Sequence, residues 1–238
     1  MRPAPLRDGL FRGRCVLESL YVLPILLFSV VVHEIAHGWV ALRLGDSTAR
    51  DANRLTLNPV PHIDPIGSIA IPLLSLLTVR SVFVAWARPV PIDPANFRKP
   101  GRDSALVSIA GPLSNMALAL CCTFAYILLS RLFGKVEIGA ADLSAQMAVF
   151  LLIMFRQGIT QNILLAVFNM IPIPPLDGSH VLMQLLPAEV GARYRQIGFF
   201  GIIMVLMLMQ FAPVQHALYG IVASLRSPCE HIIISFRQ

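Results

Sequence analysis

Apolar residues fall along this chain in long blocks, separated by short stretches rich in proline and charge. The first block runs from about Ser19 to Leu42 and contains one formally charged residue, Glu34. Its length matches the roughly 20 apolar residues that cross a bilayer as a helix. A second block, IGSIAIPLLSLLTVRSVFVAWA at positions 66–87, is broken by Pro72 and Arg80 and predicts either a full span or a re-entrant segment. Irregular backbone at membrane depth survives only where protein or a wet cavity covers it. The third block, about Ser104–Leu132, has IAGPLSNMALAL near its start. A fourth, about Gln146–Ile171, ends in NMIPIPPLDGSH, where Pro172, Pro174 and Pro175 forbid a regular helix. A last apolar run covers about Ile197–Phe211, and the mixed tail to Gln238 carries no clear spanning signal.

This pattern predicts an all-α polytopic membrane protein with a three-helix core and extra transmembrane helices. The expected organisation is a basic N-terminal segment (1–18), a membrane-embedded domain (19–212) and a C-terminal tail (213–238). Composition agrees: 56% of residues are hydrophobic and 13% charged, against about 25% charged in soluble domains. The net charge of +6 could suggest nucleic acid. The arginines, however, lie in short loops beside apolar blocks, which fits positive-inside topology and argues against a nucleic-acid face. Cys15, Cys121, Cys122 and Cys229 form no CxxC pair and read as small hydrophobes. The basic N-terminus resembles a signal peptide, but the apolar block after it is too long and is expected to be retained. Positive charge concentrated in positions 43–102 favours the cytoplasmic side for that region, opposed by Arg2, Arg7, Arg12 and Arg14.

Inside the first block stands HEIAH, with His33, Glu34 and His37. Each ionisable group near the bilayer centre costs on the order of 2.5–3.5 kcal/mol on insertion scales, so three together need a compensating interaction. Histidines at i and i+4 share one helix face and can grip one zinc ion, with the glutamate beside them to handle a proton. Catalytic zinc keeps three protein ligands and an open position. The third ligand has three candidates near membrane depth: Asp177 in PPLDG, His180 and His62.

HEIAH in the first span, IAGPLSN in a later one and FNMIPIPPLDG after the next resemble the site-2 protease family. These zinc metalloproteases cut transmembrane segments of other proteins. The resemblance covers roughly residues 19–185 and implies that His33, His37 and Asp177 bind one zinc ion and that Glu34 is the catalytic acid/base. It also implies that Asn115, and with it Asn169, lies near the substrate or reaction centre; for Asn115 a substrate or oxyanion role stands beside the alternative of satisfying neighbouring backbone or another helix. The chain looks like a minimal member without a PDZ domain, and the expected setting is a prokaryotic inner membrane, crossed several times. Its partners would be the lipid bilayer, a transmembrane protein substrate and a regulatory membrane partner, with no nucleic acid. An unwound substrate needs backbone partners. The segment LTLNPVPHIDPIGSIAI is the candidate edge, in line with the family's re-entrant β-hairpin. The competing class is a membrane metal carrier that uses the same ligands without hydrolysis. Glu34 separates the two, because a carrier has no use for a non-ligating carboxylate there.

Overall fold

The computed structural model describes residues 6–70, 87–134, 142–198 and 200–236. Three long helices form the frame: α1 (Leu6–Leu44), α3 (Pro100–Phe133) and α4 (Leu143–Asn169). The portion Val22–Leu44 of α1, all of α3 and all of α4 are long and apolar enough to cross a membrane. Between α1 and α3 lies the four-residue helix α2 (Thr48–Asp51). After α4 come α5 (Asp177–Met183), α6 (Ala188–Arg195), α7 (Phe200–Leu208) and α8 (Ala212–Ser235). The protein is an all-α, membrane-embedded molecule.

The burial of α1 explains where its histidines point. Ile25, Ser29, His33, His37 and Ala41 are buried, and they recur every fourth residue, which places them on one stripe. Leu23, Leu27, Phe28 and Trp39 lie exposed on the remaining surface, where lipid would meet them. In α3 the buried stripe is Ser108, Gly111, Asn115, Ala119, Cys122 and Tyr126, again at three- and four-residue steps. The stripe of α4 contributes Gly158, Ile159, Asn162, Ile163 and Ala166. These stripes meet in an apolar core of Ile25, Ala119, Cys122, Tyr126, Ile127, Ile159 and Ile163, to which α8 adds Val222, Cys229 and Ile233. Arg156, a charge inside α4, is accommodated by Glu230 of α8 at 3.3 Å, which also pairs with Arg226 at 2.6 Å.

Helix ends follow local chemistry. Gly45, at φ +114°, takes the left-handed geometry that closes α1, and Asp46 N–H returns to the Ala41 carbonyl. Pro100 stands in the first turn of α3, where its missing N–H costs nothing, and Asp103 Oδ2 reaches back to accept the Lys99 N–H at 2.9 Å.

The proposed edge at 55–71 is corrected as far as it is described. Residues 60–62 form a 3-10 turn and 65–70 a π-helical turn, and there is no strand among the described residues. Pro59, Pro61 and Pro65 fix φ and remove ladder donors, so a continuous strand cannot form there. Positions 71–86, which hold most of the interrupted second block, lie outside the described residues. At nine residues, α7 is about 14 Å long, which is too short to cross a bilayer alone.

Candidate metal centre

His33 and His37 lie one helical turn apart on the buried stripe of α1, with ring centroids 4.6 Å apart and planes nearly perpendicular. The proline-broken segment after α4 turns the chain back, so that α5 begins at Asp177 with its carboxylate against both rings. Asp177 Oδ2 lies 3.1 Å from His33 Nε2, and Oδ1 lies 3.3 Å from His37 Nε2. The two Nε2 atoms are 3.0 Å from each other. The three side chains offer ligand atoms that all lie within 4.8 Å of one another.

The other face of each ring decides what this cluster is. His33 Nδ1 is 2.6 Å from Asn115 Oδ1, and His37 Nδ1 is 2.7 Å from the Val107 carbonyl oxygen. Oxygen acceptors on the Nδ1 side assign the ring protons there, which leaves Nε2 of each neutral ring as a lone pair. Two imidazole lone pairs and a carboxylate therefore converge with no proton between the two nitrogens. Asp177 Oδ2 is buried and, although close to His33, accepts no hydrogen bond from it. A cation resolves this convergence. Zinc at about 2.0–2.1 Å from nitrogen and oxygen ligands, arranged tetrahedrally, separates ligand atoms by roughly 3.3 Å, close to the spacings found here. The residues present fit zinc, and the outward hydrogen bonds are those that orient metal-binding histidines.

Glu34 faces another side of α1. Its Oε2 accepts the Val90 N–H at 2.8 Å. Val90 belongs to a strap, residues 87–96, that is clamped at several points. Arg54, buried, donates to the Arg88 carbonyl at 2.7 Å. Arg88 N–H donates to the His62 carbonyl at 2.8 Å. Buried Asp46 accepts the Asp93 N–H and the Asn96 side-chain amide, both at 2.8 Å. Burial pushes the Asp46 carboxyl up, but the hydrogen bonds from Thr48, Asn96 and Asp93 outweigh it and hold the group below the usual carboxylate range.

Of the sequence candidates, the geometry brings His33, His37 and Asp177 together and sets Asn115 directly behind His33. His62 is buried elsewhere, with Nε2 against the Thr56 carbonyl at 3.1 Å, and neither it nor His180 joins the cluster. Asn169, at the end of α4, turns its amide back to the Leu165 carbonyl at 3.0 Å. Two contributors escaped the sequence reading. Asn162 of α4 accepts from Asn115 Nδ2 at 3.0 Å and donates to the Gly158 carbonyl at 2.9 Å. An amide within a largely apolar span, beside Arg156, Gln157 and Gln161, was the signal for it. Gly111 is the second: a Cβ built there would overlap both imidazoles, 2.5 Å from Cε1 of each. Its lack of a side chain is the space the rings occupy.

Comparison with known proteins agrees with this chemistry. The model of peptidase family M50 matches residues 127–209, which include α4 and the Asp177 turn. The chain is 37% identical over 188 residues to "Putative zinc metalloprotease YwhC" of Bacillus subtilis, covering 79% of each chain. It is 28% identical over 183 residues to "Putative zinc metalloprotease Rip2" of Mycolicibacterium smegmatis, covering 77% of this chain and 64% of the relative. No solved structure matches it. The chain belongs to peptidase family M50, the site-2 protease family, and is a zinc metallopeptidase of the membrane.

Proposed function

We propose that the protein hydrolyses peptide bonds in or near transmembrane segments of other membrane proteins, with His33, His37 and Asp177 holding one zinc ion and Glu34 transferring the proton. The observation that carries this reading is the convergence of two ring lone pairs and a carboxylate on a buried stripe of a spanning helix. Zinc supplies Lewis acidity there, polarising a carbonyl and making water a nucleophile at neutral pH. The chain's own residues do the rest. Asn115 and the Val107 carbonyl hold the histidine tautomers. Glu34, steadied at Oε2 by the Val90 N–H, takes the water proton and passes it to the departing amine. Apolar packing around the site keeps the local dielectric low, which strengthens each of these interactions.

The metal-carrier reading uses the same ligands but gives Glu34 no task. The test is a comparison of Glu34→Gln with wild type, measuring bound zinc and cleavage of a transmembrane substrate library in detergent or vesicles. Retained zinc with cleavage lowered by several orders of magnitude is expected. Undiminished cleavage in Glu34→Gln would sink the proposal. Zinc flux across sealed vesicles without any cleavage by wild type would favour the carrier.

A further inference from the structure

The end of α1 and the start of α3 flank an open cavity of about 230 Å³ that plays no part in the metal centre. Arg43, Arg98, Lys99 and Arg102 line it, with Leu44, Asp103 and Leu106. Among the described residues its one carboxylate, Asp103, is buried, and its Oδ2 already accepts the Lys99 backbone N–H. Among the described residues, the side chains of Arg98, Lys99 and Arg102 form no ion pair, and Arg43 lies 4.3 Å over the ring of Trp39. The first turn of the 34-residue α3 contributes Arg102 and Asp103 to the lining, and a helix N-terminus carries about half a positive charge. Four cations against the single carboxylate of Asp103, with a helix dipole of positive sign, leave a net positive field that favours a further anion.

The depth of the cavity is fixed by features independent of charge. Arg43 stands at the last turn of the spanning portion Val22–Leu44, and Arg102 in the first turn of the spanning helix Pro100–Phe133. Trp39, half exposed one turn before Arg43, is the aromatic that settles at the water–lipid boundary. Leu44 and the exposed Leu106 line the same cavity beside the charges. We infer that this cavity is a binding site for the phosphate of an anionic phospholipid headgroup, with the four cations gripping the phosphate and the two leucines meeting the upper acyl chains. Basic pockets between spanning helices take anionic lipid by this chemistry. The inference does not depend on the hydrolytic reading of the metal centre.

The experiment uses the full-length protein in detergent micelles, with native mass spectrometry to count bound lipid. The probes are phosphatidylglycerol and phosphatidylcholine of identical acyl chains. Wild type is expected to retain phosphatidylglycerol at least fivefold more strongly than phosphatidylcholine. The exposed double variant Arg98→Gln/Arg102→Gln should lose about 25-fold, at about fivefold per charge removed. Arg50→Gln, an exposed arginine outside the cavity and paired with Asp51, should leave retention unchanged. Equal retention of the two lipids, an unaffected double variant, or an equal loss in Arg50→Gln would overturn the site. Inorganic phosphate is the competing source of the same chemistry. If it displaces phosphatidylglycerol at matched concentration, the lipid assignment falls.

Discussion

Replacing Asn115 by alanine separates two roles for this residue. It is fully buried, its Oδ1 stands 2.6 Å from His33 Nδ1, and its amide donates to Asn162 Oδ1 and, at 3.4 Å, to the Ser29 carbonyl. Truncation strips the buried His33 Nδ1–H of its acceptor, a loss of about 1–3 kcal/mol, and lets the proton move to Nε2, where it blocks ligation. At 1.4 kcal/mol per tenfold, that is roughly a five- to 150-fold loss of zinc affinity, in line with the 10- to 100-fold typical of groups behind metal ligands. The assay is zinc occupancy against a graded chelator, with helicity by circular dichroism as a folding control. Asn115→Asp keeps an acceptor for His33 and should retain zinc within a few-fold of wild type. A residue that instead donated to the developing oxyanion would lose turnover on truncation with zinc affinity intact. That outcome would refute the positioning role argued here.

Three further results are expected. Gly111→Ala forces a methyl into both imidazoles and should lower zinc occupancy at least tenfold while far-UV circular dichroism stays helical; full occupancy would contradict the packing. Arg54→Met removes the bond to the Arg88 carbonyl and loosens the strap that steadies Glu34, so turnover should fall several-fold at constant zinc content. Asp46 has a folded pKa below its unfolded value of about 3.9, so the folded state binds fewer protons and its stabilising contribution is complete above that value. As pH falls through the folded pKa that contribution disappears. Thermal unfolding of wild type should therefore lose stability on acidification below about pH 4 more steeply than Asp46→Asn, and parallel pH curves would count against the account.

The parts of the molecule legible in sequence were those written in one stretch. His33, Glu34 and His37 stand out because a helix period and an apolar run make polar intruders conspicuous, and Asp177 because prolines end the helix just before it. Asn115 could be seen as a buried amide, but its contact with His33 depends on how α1 and α3 align, which no local pattern encodes. The same holds for Gly111, whose importance is the volume it leaves empty, and for Arg54, which acts through the backbone of a distant strap. The pairing of Arg156 with Glu230 of α8 likewise joins positions 74 residues apart, which no local pattern encodes. The edge expected at 55–71 combined an alternating start with proline breaks, and over its described part the prolines prevail, with 3-10 and π-helical turns and no strand.

On the proposed ligand set, the metal centre takes its histidines from the first spanning helix and its carboxylate from the turn beyond the last of the three. During synthesis the histidines enter the membrane long before Asp177 leaves the ribosome. Until then the growing chain lacks one of the three proposed ligands. On that ligand set, the order of synthesis completes the centre only after the three long apolar helices have been made.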